Sequence, residues 1–373
     1  MAASFPHGNA RQSNREYVRT QPHVLADIRS KAGSARNVYQ TLVLNGPADV
    51  QQQTTATPRN IEQVRNVQKS QRNLSRLTHD ALYNLHEFAA DSDFVHRIVT
   101  HPDLSVIMYS PDIVSLFQTL LASDSHSAVH VLSYDTTFCL GDFYLSPLLF
   151  RNADFDPAPT IPLADYLLHE RKTTDTHTDF FRHLRTVVPE LLTCPKLIIV
   201  TDREQAITQS LKDTVPELKH FLCWNHVLQD CKRWLQQHGA ATQTEVSYYM
   251  DTVRTLLSQP TDGHYKDALP VAMTKWSQSF SQFFVDTIHP VVAQLGRWKL
   301  RAYGLNDITG NQSESFNCVL KRLQEWREAP VDSMALCLFR LSQFHVTEVR
   351  RGRCGVGEFQ LRSGTCARQL SHY

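Results

Sequence analysis

The sequence predicts an α/β fold, a mixed sheet with helices on its faces, interrupted by an all-helical insertion. Three strand-like runs in succession, followed by alternating helices and strands, predict the sheet. The stretch 240–300, whose apolar residues recur only at helical spacing, predicts the insertion.

The elements follow in chain order. Residues 1–60 are rich in Gln, Asn, Ser, Thr and Arg and poor in apolar periodicity. They are expected to form a weakly ordered basic segment with one short helix near Val24–Lys31. Residues 61–125 read as a helical region and a candidate DNA contact. Ile61, Val64, Val67 and Leu74 lead to Leu82 and Leu85, and Pro111-Asp112 starts a further helix over Ile113–Leu121. The main domain is expected at 126–345, and 346–373 as a basic C-terminal tail.

Within the main domain, Val129–Tyr134 is a strand-like run that leads into Asp135. Phe143–Phe150 and Pro162–Glu170 follow as strands, with Gly141-Asp142 as the turn between the first two. Thr178–Val187 reads as a helix with Phe180, Phe181, Leu184 and Val187 on one face. Lys196–Val200 is short, apolar and β-branched, as buried strands are, and ends at Thr201-Asp202. A helix from Glu204, a strand at His220–Trp224 and a helix through Trp234 complete the alternation. The helical stretch 240–300 carries Tyr248, Met250, Val253 and Leu256, then Trp276, Phe280 and Phe284. A long helix starting near Asn311 carries Glu314, Cys318, Leu320 and Leu323. There is no internal repeat.

Bulk composition bounds the function classes. At 373 residues the chain exceeds what one core usually supports, so one large domain plus an appendage is the default. It is 42% hydrophobic and 20% charged, and no apolar run approaches the roughly 20 residues that span a bilayer. No membrane partner is expected. The eight cysteines are scattered without a Cys-x-x-Cys pair, which reads as reduced thiols. A net charge of +1 gives no bulk argument for nucleic acid. Locally, residues 1–70 hold nine Lys/Arg against four Asp/Glu, and Arg350, Arg351 and Arg353 cluster. Such segments either contact a DNA backbone or are simply solvated.

Three carboxylates carry the chemistry. Asp135 and Asp202 each close a strand-like run, and Glu314 lies on a distant helix. Phosphodiester cleavage is served by two divalent ions about 3.5–4 Å apart, held by a few hard oxygen ligands. Residues at the C-terminal ends of neighbouring strands converge on one edge of an open sheet. Glu314 joins them only if its helix packs against that edge. The same residues also suit a turn, a helix N-cap or half of a capping box, and spacing leaves both readings open.

The surrounding residues resemble a known family. Tyr134-Asp135-Thr136-Thr137-Phe138 with Leu140-Gly141-Asp142-Phe143-Tyr144 is similar to the first catalytic segment of Mutator-like (MULE) transposases. Ile199-Val200-Thr201-Asp202 resembles their second, Cys223-Trp224-Asn225-His226 their Cys-x-x-His element, and Asn311-Gln312-Ser313-Glu314-Ser315-Phe316-Asn317 their third. The resemblance covers roughly Val129 to Phe344. It implies an RNase H-like fold with a helical insertion before the catalytic helix. It also implies a metal-binding triad of Asp135, Asp202 and Glu314 for cut-and-paste DNA transposition. Two Mg²⁺ or Mn²⁺ ions are expected, with DNA as partner, a homo-oligomer as a candidate assembly and the nucleus as location.

The same resemblance puts Cys223 and His226 near the catalytic centre, with His226 touching DNA. The pair supplies only half of a tetrahedral zinc site, so no zinc is expected, and burial is the plainer reading of Cys223. Asn311 and Asn317 are expected to fix the helix start and line the cleft. Arg171 and Lys172 are candidate phosphate contacts, although a solvated strand end would carry the same residues.

The pattern also departs from the family. No cysteine precedes Cys139, so a cysteine-containing N-terminal finger is absent from this sequence. Cys354, Cys366 and His372 lack the close pairing of a C-terminal one. Three readings follow: a transposase with another DNA-binding segment, a fragment, or a non-catalytic transposon-derived DNA-binding or regulatory protein. An RNase H-like nuclease acting on some other nucleic acid is a further class.

Overall fold

The computed structural model describes residues 19–31, 33–49, 55–74, 78–122, 129–136, 143–169, 172–238, 242–306, 311–323 and 329–362. The chain divides into two compact units, Met1–Asp80 and Ala81–Tyr373.

The described residues of the first unit include the helices α1 (Pro22–Ser30), α2 (Ala35–Leu44) and α3 (Ile61–Leu74). Proline in the first turn of α1 forgoes an amide that would have no partner there anyway. Ser34 caps α2 by accepting from the Asn37 amide, and Asn60 accepts from the Gln63 amide at the start of α3. Val24 and Ile28 of α1, Ala35 and Val38 of α2, and Val64 of α3 form the core. The weakly ordered segment expected over 1–60 therefore holds two helices among its described residues. Its α2 has an apolar face, Val38 and Leu42, too short to stand out against its polar neighbours.

The second unit contains the sheet. It opens with α4 (Ala81–Asp91), β1 (Val95–Val99), β2 (Ser105–Met108) and α5 (Pro111–Ala122). Strands β3 (His130–Tyr134), β4 (Phe143–Arg151), the short β5 (Phe155–Asp156) and β6 (Thr160–His169) come next. Then α6 (Thr174–Val187), β7 (Leu197–Thr201), α7 (Gln205–Thr214), β8 (Lys219–Leu222) and α8 (Trp224–Gln237) alternate. The expected order of three strands and alternating helices holds. The turn expected at Gly141-Asp142 lies outside the described residues.

The sheet has seven strands in the order β1-β2-β6-β4-β3-β7-β8. β1, β2, β6, β4 and β3 pair antiparallel, whereas β3, β7 and β8 run parallel. β1 and β2 stand within the span read as helical. Val95, Arg97, Ile98 and Val99 are joined to Ser105–Met108 by so short a link that the hairpin was lost between two stronger helical patterns.

Period-two alternation assigns the two faces. Leu132, Tyr134, Leu148, Tyr166, Leu168 and Ile199 point to a core closed by Phe117 of α5, Phe180 and Phe181 of α6, and Ile207 and Leu211 of α7. Ile198, Val200 and Phe221 point the other way, into a core with α8 and the helices beyond it. Those are α9 (Gln243–Leu257), α10 (Asp262–Met273) and α11 (Gln278–Thr287), so the stretch 240–300 is helical as expected. On the same side as this second core, Leu145, Leu149 and Leu167 meet Leu85 of α4 and two further helices, α12 (Asn311–Leu323) and α13 (Val331–Arg353). Full burial of each such side chain contributes about 1.5–3 kcal/mol. Helix α13 runs through residue 345, and β9 (Gln360–Leu361) pairs with β5, so much of the expected basic tail is ordered structure.

Candidate active site

The parallel strands end together. Tyr134 of β3 is in register with Thr201 of β7, and Thr201 with Leu222 of β8. The Cys223 amide continues the pairing by donating to the Thr201 carbonyl at 2.8 Å. Asp135, Asp202 and Cys223 therefore lie side by side, one residue beyond three adjacent C-terminal strand ends. Alternation carries Asp135 to the side of Ser133, and Asp202 to the side of Val200. Helix α8 starts at once, which puts His226 in its first turn. Ser133, Asp135, Val200, Asp202, Cys223, His226 and Ser313 line one narrow cleft.

Ser313 brings the distant helix to this edge. Its hydroxyl and that of Ser133 are hydrogen-bonded at 2.7 Å, both buried, so α12 is pinned to β3 one residue before Glu314. Phe316 and Leu320 of α12 are buried in the adjoining core and hold the same orientation. Glu314 itself is exposed.

The electrostatics follow from burial of acids beside one histidine. Asp135 Oδ2 is 4.0 Å from His226 Nε2, with the carboxylate side chain 14% exposed. Burial pushes the Asp135 carboxyl up to about 6; His226 opposes the shift, while Asp202 and then Glu314 add to it. His226 is pushed up to about 9, first by contact with the Cys223 side chain and then, against burial, by Asp135 and Asp202. It stands as an imidazolium beside the acids at neutral pH. Asp202 is oriented from the other side, its Oδ1 accepting the Glu204 amide at 3.1 Å.

Among the described residues no three His, Cys, Asp or Glu side chains stand in metal-holding geometry. The strands bring Asp135 and Asp202 together, and Glu314 acts on Asp135 through its charge. Cys223 is buried at 2% exposure, as its plain reading expected. Trp224 is buried too and donates its indole N–H to the Leu295 carbonyl. Lys172 lies over the Tyr144 ring and ion-pairs at 3.7 Å with Glu204, two residues after Asp202. Asn317 is half-buried on α12. Arg171 and the Asn311 side chain lie outside the described residues. The sequence reading missed the pin from Ser133 to Ser313, although Ser313 sits inside the quoted third motif. A short polar side chain, Ser133, between Leu132 and Tyr134 of β3 was the available signal.

Residues 131–230 match the family model of the MULE transposase domain. The match runs from β3 into α8 and so contains Asp135, Asp202, Cys223 and His226, while Glu314 lies beyond it. No curated protein matches the chain. Among the described residues no helix is long and apolar enough to cross a membrane.

Proposed function

From a chain that carries a MULE transposase domain over residues 131–230, we propose that the cleft is the catalytic centre of a DDE-type DNA transposase with an RNase H-like core. The helical stretch 243–303 would then be an insertion in that core. The reading rests on one observation above all. Two aspartates stand at adjacent parallel strand ends, and a helix anchored to the first strand by the Ser133–Ser313 hydrogen bond carries the glutamate.

Asp135, Asp202 and Glu314 would hold two Mg²⁺ or Mn²⁺ ions. What supports the fit is the charge balance: burial and two neighbouring acids raise Asp135, and one histidine offsets them only in part. Hard carboxylate oxygens suit these cations. When bound, the ions would activate the attacking oxygen and stabilise the leaving one. The residues of the chain do the positioning. The Glu204 amide fixes the Asp202 carboxylate, and His226 places a positive charge where a phosphate oxygen would lie. Water would first attack the phosphorus at the element end, breaking the P–O bond and freeing a 3′-hydroxyl. That hydroxyl, losing its proton, would attack a phosphodiester of target DNA and release the target's own 3′-oxygen. A nuclear location follows from that substrate.

The test is nicking of supercoiled DNA, and joining of a free 3′-hydroxyl to it, by the full chain in Mn²⁺. Asp135→Asn, Asp202→Asn and Glu314→Gln are each expected to lower both activities by about a hundredfold or more, on the order of what one preorganised group supplies. Joining separates a transposase from a plain nuclease. A parent chain that neither nicks DNA nor binds Mn²⁺ would favour the non-catalytic, DNA-binding alternative.

A further inference from the structure

The first two helices of the first unit carry a pattern of their own. Only Lys31–Ser34 separate α1 from α2. Gly33 in that link has φ of +119°, a conformation that side-chain-bearing residues rarely adopt. Its carbonyl accepts from Gln68 Nε2 of α3 at 3.2 Å, which fixes the link on the third helix. Val24 and Ile28 on one side of the turn, and Ala35 and Val38 on the other, are buried with Val64. Two short helices joined by a glycine turn and braced by a third have the build of a helix-turn-helix module.

The free face of α2 has the matching chemistry. Arg36, Asn37, Gln40 and Thr41 are all exposed. Arginine pairs with the two acceptors of guanine, asparagine and glutamine pair with adenine, and a threonine methyl packs against thymine. The sequence of α2, ARNVYQTLVL, contains no acid to repel phosphate. Arg29 and Lys31, just before the turn, are exposed as well. None of Arg29, Lys31 and Arg36 forms an ion pair among the described residues. A helix of this length spans about 15 Å, enough to lie along a major groove about 12 Å wide.

We propose that α2 is a recognition helix that enters the major groove of duplex DNA. Arg36, Asn37, Gln40 and Thr41 read base edges, and Arg29 and Lys31 meet the phosphates. This supplies sequence readout from the first unit of the chain, and it holds whether or not the cleft is catalytic.

The experiment selects bound duplexes from a random-sequence library with the full chain in EDTA, so that no metal-dependent step enters. The parent is expected to enrich one short motif. Asn37→Ala and Gln40→Ala should each relax the preference at one or two positions and weaken binding to the enriched duplex about tenfold, with random duplexes unaffected. Arg29→Ala and Lys31→Ala should weaken binding to all duplexes alike and flatten its salt dependence. These positions are exposed, and an unchanged circular dichroism spectrum checks the fold. The proposal is overturned if the parent enriches no motif, if the Asn37→Ala/Gln40→Ala variant enriches the same one, or if single-stranded DNA competes equally. Since the readout is binding in chelator, failure of cleavage and failure of recognition are separate results.

Discussion

Two carboxyls of the second unit, the half-buried Asp135 and the buried Asp165, are both pushed up, and their surroundings differ. Asp135 has a histidine 4.0 Å away and neighbouring acids at a strand edge. Asp165 sits mid-strand on β6, opposite Met108 of β2 and Pro147 of β4, and its Oδ1 has no hydrogen-bond partner among the described residues. Burial alone raises its carboxyl from 3.8 to about 7. The folded chain thus keeps a proton that the unfolded chain releases. The associated stability is whole below about pH 4 and is lost as pH rises through about 7, a loss on the order of 4 kcal/mol at about 1.4 kcal/mol per unit. Asp165→Asn cannot ionise, so its stability relative to the parent should climb between pH 4 and 8 in urea titrations. A difference independent of pH would show that this carboxyl does not titrate as described.

At the scale of elements, the helix that carries Glu314 meets β3 through the Ser133–Ser313 hydrogen bond, beside an apolar interface. Removing one hydroxyl strands the other, at about 1–3 kcal/mol, whereas removing both leaves nothing unsatisfied. Ser133→Ala and Ser313→Ala should therefore each destabilise the chain, and the double variant should cost less than the sum. Denaturation of the four chains measures that coupling, and simple additivity would mean that the hydroxyls do not meet. The helical stretch has its own fastening at Thr242, whose hydroxyl accepts the Glu245 amide while the Glu245 carboxylate accepts the Thr242 amide. Thr242→Ala should cost about 1 kcal/mol, read in the same way, with nicking unchanged.

For the whole molecule, the division lies at Asp80/Ala81, and β1 and β2 belong to the sheet. A chain begun at Ala81 keeps all seven strands of the sheet and should melt cooperatively. One begun at residue 126 loses β1 and β2, which unpairs the β6 edge, and loses α5, which uncovers Phe150. It should aggregate, as light scattering would reveal. A soluble, cooperatively melting chain from 126 would mean that β1, β2 and α5 are dispensable. Legibility varied along the chain for physical reasons. Lys196–Val200 could be read because a strand buried on both faces is apolar throughout, and α6 because its aromatics recur on one face. The β1–β2 hairpin and α2 are short, and their partners are remote in sequence, so local pattern gave them little weight.

By itself the sequence determined that a mixed sheet with flanking helices would form and that two aspartates would each end a strand, because side-chain alternation and strand-end position are local properties. It also carried all the residues of the third motif. Only the tertiary structure decided that β3 and β7 lie parallel and in register, that Cys223 and His226 join them at the end of β8, and that α12 is tied to β3 through two serines. It likewise decided that Asp165 would be shut away from water and that Arg36, Asn37, Gln40 and Thr41 would share one exposed face. Pairing, burial and exposure depend on what the rest of the chain brings to each residue, and that is settled only when distant segments pack.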